Sequence, residues 1–509
     1  MNGAPIVPCT KKTGVTNDKR RHRGLHALPI TLTILSVCCA GAGVIAQDND
    51  RERNLAASLA SLDPGPRPGF VLAPNPYPNF PNNPGNPIQG LTTSGQFPAF
   101  QGGLTQFIEV EPVDLAGGPG NGGLGPTFNS NSCGSCHSQP AAGGTSPRAD
   151  VGPAFLPNPQ ATVGQGFTVQ SSSQIITFDN AALPFITPDG PVREARFKSD
   201  SGVHDLFTIA GSNDAPTCAK GMMSQPDFAA EAARGNLSFR IPTPVFGAGL
   251  IENIDENTLI TNLANSSSVA LGIHGTFNRS GNDGSITRFG WKAQNKSLLM
   301  FAGEAYNVEM GITNELFPNE RGYPPNPIPT GCLVNPTPED LTVFDPSLSL
   351  SDVAQFAIFM RFLDQPAQAC GGTTGIDCGL AAAGQGVFTK IGCANCHTPF
   401  LTTTASEFNP AALSGVKANL FSDLALHHMG NRLADGITQG NAGPDQFRTS
   451  PLWGVGQRVF FLHDGRTSNL VQAILDHESP GSESNRVIEN FERLALTDKT
   501  NLIVFLRSL

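Results

Sequence analysis

"SCGSCHSQP" (Ser132–Pro140) and "GCANCHTPF" (Gly392–Phe400) write one pattern, Cys-x-x-Cys-His, twice in a single chain, 260 residues apart. With 11 Cys and 10 His among 509 residues, two such matches arise by chance in roughly one sequence in 10⁵. Two thiols three apart can add to the two vinyl groups of a haem, and the His that follows then ligates the iron. Cys133, Cys136 and His137 therefore read as one c-type haem site, and Cys393, Cys396 and His397 as a second. A zinc site would want a further Cys or His pair nearby, which neither motif has. A thioredoxin-like dithiol would follow a strand and needs no His. The fold class that follows is mainly α, with two cytochrome c-like haem domains, the first carrying a long insertion of loops and short strands.

The chain opens with a basic patch (Lys19, Arg20, Arg21, Arg23), an apolar run over 25–46 and then "QDNDRER". This predicts a signal peptide over 1–46, cut after Ala46, and a periplasmic or otherwise exported protein. The run is also long enough to act as an uncleaved N-terminal membrane anchor; Val37 beside Cys38 disfavours a lipoprotein site. Removing 1–46 takes the formal charge from −10 to −15, and an acidic chain with no basic run is not a nucleic-acid binder. Cys218, Cys332, Cys370 and Cys378 are left over. In an oxidising compartment they suggest disulfides, the short Cys370–Cys378 loop first, with buried free thiols as the alternative.

Residues 47–94 read as a lead-in, extended or disordered, because 63–90 is rich in Pro, Asn and Gly. An N-terminal haem domain over 95–344 follows. Its segment 141–290 alternates short apolar runs with turn residues, which predicts strands and loops with little helix. Residues 345–509 read as a C-terminal cytochrome c domain. There "DVAQFAIFMRFLD" (352–364) and "LAAAGQGVFTKIG" (380–392) show helical spacing, and "KTNLIVFLRSL" reads as a closing helix capped by Thr497 or Asp498, with Leu502, Phe505, Leu506 and Leu509 on one stripe.

Iron held by His397 needs a partner on its other face or an open position. His477, on the predicted short helix "SNLVQAILDH", shares the face of Leu470 and Ile474 and is the first candidate; Met429 in "LALHHMG" is the second. Two His ligands give a low potential, and His/Met raises it. After His137 there is no His until His204 and no Met until Met222, so the first haem reads as open. The stretch "RFGWKAQNKSLLMFAGEAYNVEMG" (288–311) weakly repeats 460–478, with Trp291 and Leu298 spaced as His463 and Leu470. It holds Trp291 and Tyr306 in a chain with only 2 Trp and 3 Tyr. An aromatic between two haems can relay electrons; core packing is the plain alternative. Glu309 in an apolar pocket would have its pKa raised and could move protons during O–O cleavage, although spacing alone favours a solvated helix charge.

These stretches, with "IGCANCHTP", "FSDLALHHMGNRLADG" and "FRTSPLWGVGQRVFFLHDGRTSNLVQAILDH", resemble the di-haem oxidoreductase family, often labelled thiol oxidoreductases. That family is related to bacterial di-haem cytochrome c peroxidase and to MauG, and the resemblance covers most of 95–509. It implies an N-terminal haem that reacts with peroxide, a C-terminal haem that transfers electrons and a Trp between them, at Trp291. It implies a distal acid in a Glu-Met dipeptide, matched by Glu309-Met310. The second haem's distal ligand would lie 14 residues beyond His463 of "HDG", at His477; relatives carry Met or Tyr there, so a His is a departure. The resemblance also implies a calcium between the haems, held by backbone carbonyls of Thr449-Ser450-Pro451 and by Asn278 or Asn282.

The expectation is an exported, peroxidase-like di-haem oxidoreductase with two covalently bound c-type haems. Peroxide would meet the open iron opposite His137, Glu309 would handle protons, and electrons would arrive through Trp291 from the haem on His397. A small redox protein would be the electron donor or acceptor, and a homodimer is compatible with this. Two alternatives stand beside it: an electron-transfer cytochrome with both haems six-coordinate, and MauG-like oxidation of an organic or protein substrate, for which 141–290 would supply a surface. Thiol oxidation finds no support, since no spare Cys pair has a redox spacing.

Overall fold

The computed structural model describes residues 54–67, 87–88, 91, 95–111, 123–148, 158–162, 183–209, 217–219, 222–223, 225–322, 328–333, 338–340 and 350–509 except 408. The predicted signal peptide or anchor and much of the lead-in lie outside the described residues. Among the described residues no helix is long and apolar enough to cross a membrane. The architecture is helix-rich with small two-stranded sheets, and residues 56–509 form one compact unit.

Two helix pairs organise that unit. Helix α1 (Phe97–Ile108) packs on α5 (Asp352–Phe362), and α6 (Cys378–Ile391) packs on α9 (Leu496–Ser508). A glycine brings each pair close: a Cβ on Gly103 would collide with the Gln355 carbonyl, and one on Gly384 with the Asn501 carbonyl. One turn further on, Phe107 lies 4.6 Å from Phe359 and edge-on to His137 at 6.0 Å. In the second pair Phe388 lies 5.3 Å from Phe505 and 6.3 Å from His397. Each pair thus sets an aromatic wall beside its own Cys-x-x-Cys-His. Phe359 and Phe505, both fully buried, contribute about 1.5–3 kcal/mol each.

Three local expectations change. Helix α5 was expected with the second haem, inside 345–509; it completes the first helix pair instead, and its Phe356 and Met360 line the first cavity. The chain returns to α1 only after the insertion, so the first helix pair extends past residue 344. The insertion itself does contain short antiparallel strands, β2 (Glu194–Phe197) with β4 (Leu237–Arg240), alongside the pair β1 (Thr127–Phe128) with β3 (Phe207–Thr208). It also contains the short helix α2 (Ala248–Glu252) and the 11-residue helix α3 (Glu256–Ser266), the latter started by Asp255, whose carboxylate accepts the Thr258 N–H at 2.9 Å. Finally, α9 begins at Leu496 behind Ala495, with no side-chain cap from Thr497 or Asp498. Its start is tied instead to α8 (Asn485–Glu492), because the Lys499 ammonium, in the first turn, donates to the Glu492 and Leu494 carbonyls. The predicted stripe Leu502, Phe505, Leu506 and Leu509 is buried.

Part of the lead-in is docked rather than extended. The Asp63 carboxylate accepts from Arg507 Nε (2.7 Å) and Nη2 (2.8 Å) and from the Leu470 N–H (2.7 Å), and the Arg67 N–H donates to the Gly456 carbonyl (2.8 Å). Disulfides join Cys370 to Cys378, as the short loop predicts, and Cys218 to Cys332; Cys133, Cys136, Cys393 and Cys396 stay free.

Candidate functional site

The weak repeat of 288–311 in 460–478 is a structural repeat. Phe289 bridges Asn295 as Phe461 bridges Thr467. Backbone φ is positive at Gly290 and Ala293 and at the matching Leu462 and Gly465. Helix α4 (Leu298–Met310) starts at Leu298 behind a Ser297 cap, and α7 (Leu470–Leu475) starts at Leu470 behind an Asn469 cap. In this register Trp291 matches His463, and the two rings meet edge to face at 6.4 Å. Ala305 matches His477.

Beside the second motif lies a mostly apolar cavity of about 220 Å³, lined by Cys393, Cys396, His397, Met429 and His477 among others. His397 Nδ1 lies 2.9 Å from the Phe421 carbonyl, and His477 Nδ1 lies 2.7 Å from the Ala473 carbonyl. A carbonyl only accepts, so each Nδ1 carries the proton and each Nε2 keeps a lone pair. Burial lowers both imidazoles, His397 to about 4, which keeps them neutral. His427, near Cys396, differs. Burial opposes its charge, but Cys396, Asp423 and Glu483 hold its pKa well above the ordinary value. Contacts to Asp423 (2.9 Å) and Glu483 (2.8 Å) occupy both ring nitrogens, so it offers iron no lone pair.

The first motif opens on a cavity of about 150 Å³ lined by Cys133, Cys136, His137, Glu194, Arg196, Ala305, Tyr306 and Glu309. His137 Nδ1 lies 3.0 Å from the Gly144 carbonyl, the Thr243 backbone is also within reach, and burial lowers the imidazole to about 4. Glu309 is therefore a cavity wall, not a solvated helix charge. It is hydrogen-bonded to Glu194, which is ion-paired with Arg196. Burial, then the Glu194 charge, raises Glu309 well above the ordinary range. Burial also works to raise Glu194, but Arg196 and Arg240 hold it low. The two carboxyls share one proton, carried by Glu309.

Trp291 lines both cavities, and its Nε1–H donates to the Ile241 carbonyl at 2.9 Å. Arg448 and Arg458 wall the second cavity and the smaller space beside it that Gly290 and Pro451 also line. Burial lowers each to about 10, and among the described residues no carboxylate acts on either. Buried cations need counter-charge, and the propionates of a haem would supply it. In the first cavity the buried Nε atoms of Arg193 and Arg240 have no hydrogen-bond partner among the described residues. Free paired thiols, neutral imidazoles and aromatic walls at each motif, with unpartnered buried Nε atoms at the first and the guanidiniums of Arg448 and Arg458 at the second, fit a haem at each.

Next to Trp291, Asp435 joins Arg240 (2.8 Å) and Lys292 (3.1 Å) in a sealed ion group. The Lys292 ammonium also donates to the Gly443 and Gln446 carbonyls at 2.8 Å and sits 4.1 Å over the Phe447 ring. Asp435→Ala leaves two buried cations facing each other and is expected to lower unfolding stability by about 3–5 kcal/mol in denaturant titration; a cost under about 1 kcal/mol would refute the group's role. Of the predicted calcium ligands, the Thr449 carbonyl accepts from Ser422 Oγ (2.6 Å), Asn278 Oδ1 accepts from the Arg279 and Asn441 N–H groups, and Pro451 lines the smaller space beside Arg448. Asn282 is exposed.

Sequence reasoning missed Glu194, Arg196, Arg448 and Arg458. The first two carried a signal, because alternate residues of "EAR" in a strand point to one face. A family model described as "Di-haem oxidoreductase, putative peroxidase" matches residues 203–509, a span that holds Trp291, Glu309, the second motif and His477 but not Cys133–His137. Among solved structures the chain is similar to a MauG-like protein associated with microbial copper homeostasis, at 12% identity over 50% of this chain and 89% of that one, with a TM-score of 0.24. No curated protein matches. With its family model covering more than half of the sequence, the chain belongs to the di-haem oxidoreductase family, whose cofactor is haem.

Proposed function

We propose that the protein is an exported, peroxidase-like oxidoreductase that reduces peroxide in the cavity of His137 and draws electrons past Trp291 from the cavity of His397. In this reading Cys133, Cys136, Cys393 and Cys396 attach the two haems covalently, and a small redox protein is the electron donor. The observation that carries the reading is Ala305 standing where the repeat has His477. A methyl group has no lone pair, so a haem held by His137 would take no ligand from Ala305 and would stay open to a small molecule, whereas His477 brings a neutral imidazole into the cavity of His397. The bound haems supply the electron transfer that takes peroxide, with two protons and two electrons, to two waters. The Glu194 carboxylate accepts a proton from the near oxygen, and protonated Glu309 donates one to the departing oxygen. Arg196 keeps Glu194 ionised, so the two acids hold opposite protonation states before peroxide arrives.

The test is the EPR spectrum of the ferric full-length holoprotein. The expected result is one high-spin and one low-spin haem in equal amounts, with His477→Ala converting the low-spin half. Two low-spin haems in the wild type would make the protein an electron-transfer cytochrome instead.

A further inference from the structure

Tyr306 stands one turn before Glu309 on α4, lines the first cavity and is 2% exposed. Its hydroxyl enters a pocket of acids, with Glu111 Oε1 and Asp352 Oδ2 each 3.1 Å from Oη. A phenol has one proton and can donate to only one of them. Protonation of the other carboxyl, which then donates to Oη, satisfies both contacts in full. Burial, then the Asp352 charge, raises Glu111 to about 8, and burial, then the Asp340 charge, raises Asp352 to about 7. Among the described residues the charges that act most on these two groups are those of other acids, so the cluster is not a masked ion pair. Asp340 is itself held by the Asp352 and Val353 N–H groups at 3.2 and 3.0 Å, at the start of α5.

A buried phenol gives up an electron readily only if its proton leaves at the same time, because a charged phenol radical cation is costly away from water. Here the acceptor is already hydrogen-bonded, and a second carboxyl stands ready to donate to the oxygen left behind. The same residue lines the cavity where His137 lies.

We propose that Tyr306 is a redox-active side chain, giving one electron to an oxidised haem in the first cavity while its phenolic proton passes to Asp352, and leaving a neutral radical held by a hydrogen bond from Glu111. The proposal rests on the peroxidase reading for its oxidant. Reduction of one peroxide to two waters consumes two electrons. Where the second haem delivers only one, Tyr306 supplies the other: its O–H bond breaks, the electron goes to the haem and the proton to the Asp352 carboxylate. An organic hydrogen-atom donor or the redox partner restores the phenol.

The experiment treats full-length holoprotein with hydrogen peroxide in the absence of donor, freezes it and records the organic-radical EPR signal alongside peroxide consumption. The expected result is a radical whose signal narrows when ring-deuterated tyrosine is incorporated. Tyr306→Phe, which removes one oxygen, should abolish it with the haem optical spectrum unchanged, and Asp352→Asn should lower its yield. A signal that ignores the label, survives Tyr306→Phe or is unaffected by Asp352→Asn overturns the proposal. If peroxide is not consumed at all, the peroxidase reading falls; a flash-generated one-electron oxidant then replaces peroxide, and the same label and variants decide for or against Tyr306.

Discussion

Peroxide turnover in Glu309→Gln is expected to fall by roughly 10²–10⁴-fold, with haem content and resting spectra unchanged. Gln keeps the size of Glu and the neutrality that burial and Glu194 impose on Glu309, so the hydrogen bond to Glu194 survives while the transferable proton is lost. The variant should also be more stable than the wild type at neutral pH. Below about pH 4, near the carboxyl value of the unfolded chain, both states of the wild type hold the proton and the two proteins should match. As pH rises above that value the unfolded state releases the proton and the folded state does not, so only the wild type loses stability. Turnover equal to wild type, or a wild type more stable than the variant at neutral pH, would contradict the role given to Glu309.

Ala305→His is expected to abolish the peroxide reaction outright. At the position that matches His477, an imidazole would close the iron opposite His137 and leave no place for a small ligand. Optical and EPR spectra should then show two low-spin haems, while electron uptake from a chemical reductant continues. A variant that keeps its high-spin haem and its turnover would mean that the repeat does not set haem ligation.

Much of this was legible from short-range sequence pattern. A Cys-x-x-Cys-His has a fixed spacing whatever surrounds it, so both motifs stand out. The unit of Trp291 and Leu298 against His463 and Leu470 was visible because a turn with two positive-φ positions tolerates no change of length. What escaped depends on partners far apart in the chain. Helix α1 contains Gly102 and Gly103, poor helix formers, yet Gly103 is what lets α5 approach. Glu194 gains meaning only when β2 lies beside α4. The carboxyls around Tyr306 come from 195 and 46 residues away. Spacing argued for a solvated Glu309, because one helix read alone cannot report the strand that covers it.

The Asp63 clamp bears on how the protein is made. Its carboxylate holds both the first amide of α7, the helix leading to His477, and Arg507 of α9, 407 and 444 residues downstream. In a chain synthesised from its N-terminal end, Asp63 can take the first amide of α7 once residue 470 emerges, but the clamp is complete only when Arg507 of α9 follows. The first Cys-x-x-Cys-His emerges far earlier, so the wall behind His477 is closed last, by an early-made segment returning to a late-made one.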